Sequence, residues 1–255
     1  MPFTLAHPAA VLPLRRYCPR WLDFPALVAG SVCPDLGYCF SQWHVAKFSH
    51  RFLAGDFGFC LPAGLLLVFL FYRFRRFAVR LLPARQREIF EPLCRRRAGS
   101  FWTIVVSLLV GIWTHLFLDS LAHENGLLAT RLPLLLAVVS AGGLQFRVCD
   151  LIYSLTTFAG VAWLALSYMN WLERAAQTRR WILPGFKWSA ALLSATLALL
   201  LSLANHDHGP ELGLADVGAL TLLLVFLFFT AANWALRDGQ AGTPRNPRVR
   251  LAEGS

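Results

Sequence analysis

Five stretches of this chain, about 57–73, 101–122, 149–172, 187–204 and 212–236, are almost free of charge and approach or reach the length that a helix needs to cross a hydrocarbon layer. Nothing else in the sequence restricts the fold so tightly. Lipid offers no hydrogen bonds, so each crossing segment must satisfy its own backbone, and long apolar runs do this as helices. Hydrophobic residues make up 56% of the chain and charged ones 15%, with a mean hydropathy of +0.52, which excludes an ordinary soluble domain. The expected fold class is all-α: a polytopic membrane bundle of about five full spans. No Ser-rich or Gly-rich linker divides the chain. We expect one domain over 1–255, with a site-bearing part in 1–172, two C-terminal spans in 173–236 and a disordered tail in 237–255.

Two apolar segments are too short to span. Within 1–56, LAHPAAVLPL and WLDFPALVAGSVCPDLGYCF fall below about 20 residues of uninterrupted apolar sequence, and a helical hairpin is expected instead. Entering after His7, turning around Arg15 to Arg20 and returning at Asp35, it would bring His7 and Asp35 to one level. The opening MPFTLAHPAAVLPLRR has no basic segment ahead of an apolar core, so no cleaved signal peptide is expected. The piece RLPLLLAVVSAGGLQ in 123–148 is expected to lie in the interface or fold back over the rest.

The formal net charge of +10 does not indicate nucleic acid, because the basic residues cluster between apolar runs rather than covering a soluble face. Residues 73–97 hold nine arginines against two glutamates, interleaved with Phe74, Phe77, Val79, Leu81 and Leu82. That pattern predicts an amphipathic surface helix against anionic lipid, and membrane lipid is the expected partner. Placing 73–100, 173–187 and 237–255 on the cytoplasmic side puts 17 of the 24 Lys and Arg residues there. The span 101–122 then runs outward. The six cysteines form no CxxC pair and read as small apolar fillers, a Cys33 to Cys39 disulfide being a remote alternative.

At the outer end of that span stands GIWTHLFLDSLAHENG, with His115, Asp119 and His123 at four-residue steps. On a helix this spacing stacks an imidazole, a carboxylate and an imidazole on one face, a set suited to a divalent metal. An unbroken helix would separate His115 and His123 by roughly 12 Å, too far to share one ion. Either the helix ends near Ser120 or His123 belongs to an outer shell. His123 and Glu124 are the catalytic candidates, Trp113 and Phe117 flank the string, and Asp56, Glu124 and Asp150 are candidate acceptors for the second nitrogen of ligating histidines. The alternative is that these are polar groups bonded to nearby backbone. A hydroxyl stripe after Asp150, and His206 and His208 in the HDH turn, are read chiefly as backbone-bonded and solvated.

Together, MPFTLAHPAAVLPLRR, LVAGSVCPDLGY, the SHRF ahead of FCLPAGLLLVFLF, and GIWTHLFLDSLAHENG resemble a bacterial membrane family known as domain of unknown function 4184. That family is distantly similar to membrane-bound metal-dependent hydrolases. The resemblance implies His7, Asp35, His50, His115 and Asp119 as metal ligands, with His123 extending the cluster. Where relatives carry two nearby histidines ahead of the first span, this chain has Phe48 and His50, with His44 farther off. The implied cofactor is a divalent metal, zinc or similar, and the implied substrate a lipid or other phosphoester at the outer face of the bacterial inner membrane. A non-enzymatic membrane protein, whose His/Asp cluster is structural or relays ions or protons, stays open beside it.

Overall fold

The run that begins at Phe101 starts behind Ser100, whose hydroxyl oxygen accepts the backbone N–H of Thr103 at 3.2 Å, and stays helical for 22 residues to Ala122. In the computed structural model, which describes residues 4–40, 43–82, 84–141, 144–175, 188–189, 191–196 and 200, this helix is the axis of the molecule. In chain order the helices are α1 (Pro8–Val11), α2 (Phe24–Val32), α3 (Trp43–Ser49), α4 (Leu61–Arg80), α5 (Ala84–Cys94), α6 (Phe101–Ala122), α7 (Pro133–Leu136) and α8 (Val148–Ala175). A two-stranded hairpin, β1 (Val138–Ala141) with β2 (Leu144–Arg147), precedes α8.

Among the described residues, three helices are long and apolar enough to cross a membrane: Asp56–Arg80, in which the π turn Asp56–Cys60 runs into α4, then Phe101–Ala122 and Val148–Ala175. They coincide with the first three expected spans. The spans expected at 187–204 and 212–236 lie outside the described residues save for short helical pieces, and so do the HDH turn and the tail.

Helix α2 packs most closely on α6, and glycine is the reason. A Cβ built on Gly30 would stand 2.3 Å from the Leu108 carbonyl oxygen, and one on Gly111 would stand 2.4 Å from that of Leu27. Only hydrogen at both positions lets the two backbones touch, as small residues do between membrane helices. Asp23 caps α2 by accepting from Ala26 N at 3.0 Å, and its other oxygen accepts from Tyr72 Oη at 2.7 Å and Gly99 N at 3.1 Å. One carboxylate thus pins the starts of α2 and α6 to α4.

The buried face of α6 carries Leu108 against Ala26 and Val68, then Ile112 against Cys33 and Cys60. Cys33 and Cys60 are free thiols serving as packing. One turn further the same face presents His115 and then Asp119, both buried. The apolar stripe becomes ionisable without leaving the interior. Behind it, α8 passes the N-terminal segment, with Gly160 against Ala6.

The piece in 123–148 departs from the all-α expectation. Its backbone pairs Val138 with Arg147 and Ala141 with Leu144. Two β-branched valines followed by a Gly-Gly dipeptide are a hairpin signal within an otherwise helical chain.

Candidate metal centre

Four side chains from three separate segments meet at the end of α6. Asp35 opens the 3₁₀ turn Pro34–Phe40 that follows α2, His50 follows α3, and His115 and Asp119 lie one turn apart on α6. One ligand atom from each lies within 4.8 Å of all the others. His115 Nε2 is 3.4 Å from Asp35 Oδ1 and 3.3 Å from Asp119 Oδ2, and His50 Nε2 is 3.6 Å and 3.4 Å from the same two oxygens.

These separations discriminate between two chemistries. Charge-assisted N–H···O⁻ bonds close to about 2.7–2.9 Å, so a lock of direct hydrogen bonds would be shorter. Two ligands each about 2.0–2.1 Å from a tetrahedral ion stand about 3.3–3.4 Å apart. Three of the four imidazole–carboxylate separations fall at the second spacing.

Ring orientation agrees. The Ser31 carbonyl can only accept, so His115 Nδ1, 2.8 Å away, donates to it and Nε2 is the ring atom turned to the carboxylates. Ser49 Oγ donates to the Pro34 carbonyl at 2.8 Å, which leaves its lone pair to accept from His50 Nδ1 at 3.1 Å. Both histidines are therefore oriented by groups behind them so that Nε2 is the atom that could bind an ion. The close α2–α6 approach is what brings the Ser31 carbonyl to His115. Both oxygens of Asp35, Asp119 Oδ1 and His115 Nε2 are buried with no hydrogen-bond partner among the described residues, a condition that a bound cation relieves.

Electrostatics show how strongly the carboxylates attract positive charge. Burial alone would raise the Asp35 pKa, but the neighbouring His115, followed by His50 and His7, holds it well below the usual carboxylate range. Burial would lower His50, yet Asp119 and Asp35 raise it to about 9. Two ionised carboxylates in a buried pocket draw positive charge to themselves.

His7, set between the turn Thr4–Ala6 and α1, stacks on His115 with ring centroids 3.8 Å apart and places Nε2 3.7 Å from Asp119 Oδ1. His123 resolves the spacing problem in the string. Helix α6 stops at Ala122, His123 is extended (φ −122°, ψ 139°), and its Nε2 lies 3.7 Å from Asp119 Oδ1. Burial lowers His7 and His123 to about 4, so both rings are neutral near pH 7.

The expected outer acceptors prove different. Asp56 accepts from Leu53 N at 3.0 Å and Trp113 Nε1 at 3.1 Å, bracing the π turn, and Trp113 is committed to that bond. Asp150 accepts from Arg147 N at 3.2 Å at the head of its own helix. Glu124 is exposed and pairs with Arg147 rather than joining the cluster. The groups behind the histidines are instead Ser31 and Ser49, one through a carbonyl that leaves no mark in sequence. Asp119, His50 and His123 side chains are 9%, 20% and 32% exposed, so the cluster opens towards the last two. The side chain of His44 lies outside the described residues, as do His206 and His208.

A family model described as a domain of unknown function, DUF4184, matches residues 1–236. The chain belongs to that family. No curated protein and no solved structure matches it. In this DUF4184 chain the four-residue cluster and the flanking His7 and His123 all fall inside the matched region.

Proposed function

We propose that the chain is a multi-pass membrane protein that holds a divalent transition metal, zinc being the best match to the donors, and acts as a metal-dependent hydrolase on a lipid or other phosphoester at the outer face of a bacterial inner membrane. Asp35, His50, His115 and Asp119 hold the ion, and two carboxylates with neutral imidazoles balance its charge. The observation that carries this reading is the 3.3–3.6 Å spacing between the imidazole Nε2 and carboxylate atoms, longer than charge-assisted hydrogen bonds and close to the separation of two ligands on one ion. When bound, such an ion supplies Lewis acidity and makes water more acidic.

The remaining features are read together with it. The N-terminal segment forms the helical hairpin, the spans 187–204 and 212–236 complete a five-span single domain, and the arginine loop 73–100 faces the cytoplasm. His115 and Asp119 sit at the end of α6 opposite that loop, which favours an outer location. Exposed Phe52, Phe57, Trp113 and Phe117 give the membrane face apolar surface for an acyl tail. Glu124 at the rim, exposed and outside the ligand cluster, is the group that exchanges a proton with substrate. Hydrolysis assays on phospholipid vesicles and soluble phosphoesters test this. We expect activity that chelation abolishes, that added zinc restores, and that His115→Ala lacks. Activity indifferent to chelator and to His115→Ala, or none with any phosphoester in metal-loaded protein, would refute it.

A further inference from the structure

Asp119 has two oxygens, and the four-residue cluster uses one. Its Oδ2 faces His50 and His115, whereas Oδ1 faces Nε2 of His7 and Nε2 of His123, each at 3.7 Å. Neither pair is a hydrogen bond, since both exceed the distance at which an imidazole N–H and a carboxylate bond. His7 is 1% exposed and neither of its ring nitrogens has a hydrogen-bond partner among the described residues, and the same holds for His123 Nε2 and Asp119 Oδ1. A buried imidazole with both nitrogens unsatisfied is rare unless something else binds it. Stacking holds the His7 ring within 25° of the His115 ring, so the two nearly parallel rings address the two oxygens of one carboxylate.

We propose that Asp119 is a bridging carboxylate, and that its Oδ1, with His7 and His123, holds a second divalent ion beside the one held by Asp35, His50, His115 and Asp119 Oδ2. This rests on the reading of the first cluster as a metal site. It also changes what that reading implies. Four protein ligands complete a tetrahedral shell, the arrangement of a structural ion, whereas three leave a position for substrate or water. The three-ligand half-site is also on the more open side, where the His123 side chain is 32% exposed. The reactive position therefore belongs to the second ion, with the first fixing Asp119. Two ions sharing a carboxylate form a clamp for the oxygens of a phosphoester, which gives the phosphoester class of substrate its physical basis.

The test is metal content of the full chain in detergent, stripped and reloaded with zinc and freed of excess, with manganese loading followed by electron paramagnetic resonance. We expect two equivalents of zinc in the parent and an exchange-coupled manganese signal. His123→Gln, at the partly exposed position, should retain one equivalent and an uncoupled signal, and His7→Gln should do the same. One equivalent in the parent, unchanged in both variants, would overturn the second ion and leave the first intact. Two equivalents persisting in both variants would overturn the ligand assignment. None in the parent would remove both sites.

Discussion

Ser49 is a small residue with a large part to play at the candidate centre. Its hydroxyl ties the Pro34 carbonyl to His50 Nδ1, so one side chain fixes both the turn that carries Asp35 and the tautomer of His50. Groups of this kind typically govern metal affinity by about 10–100-fold. We predict that Ser49→Ala weakens zinc binding by about that factor, measured by competition with a chromophoric chelator. Ser120→Ala, whose hydroxyl bonds only the Phe117 carbonyl within its own helix, is the control and should leave affinity unchanged. Glu124→Ala should likewise keep its metal while lowering activity, because Glu124 pairs with Arg147 outside the cluster.

The α2–α6 contact decides whether the centre assembles. With Gly111 Cα hydrogens facing the Leu27 carbonyl, the helices approach until the Ser31 carbonyl meets His115. Gly111→Ala puts a methyl 2.4 Å from that carbonyl oxygen, and the backbone must move. Overpacking of this sort costs about 1–3 kcal/mol. We predict a lower midpoint of thermal unfolding in detergent together with weakened metal binding, whereas Gly99→Ala, met chiefly by side-chain atoms at 3.2–3.4 Å, should be milder in both. Much of this element is legible in the sequence: the apolar run and the HxxxDxxxH face both come from residue spacing. A helix end near Ser120 is one of two readings the sequence leaves open, since nothing in LAHENG forces the break, and α6 runs on to Ala122. The α2–α6 approach was not legible, because a glycine in an apolar run does not announce which backbone it will meet. The outer acceptors were misplaced onto Asp56, Glu124 and Asp150 for the same reason: a carbonyl such as that of Ser31 carries no signature in sequence. The β1–β2 hairpin did carry one, in Val138-Val139 and Gly142-Gly143, within a segment read only for its length.

At the scale of the whole molecule, charge and chemistry sit at opposite ends. Arginines gather at the end of Asp56–Arg80 and along α5, while His115 and Asp119 close the far end of α6. The positive-inside rule then predicts that a reporter fused at Arg87 behaves as cytoplasmic and one fused within the turn after Ala122 as external. The reverse pattern would place the centre on the inner side. The central claim, that the cluster is a metal site rather than a polar lock, is tested most directly by elemental analysis of the purified chain beside His115→Ala and Asp119→Ala, with circular dichroism to establish that the variants remain helical. The account predicts zinc or a similar transition metal in the parent and loss of the ion held by this cluster from both folded variants. A parent that binds no metal, or variants that bind as much as the parent, would contradict it.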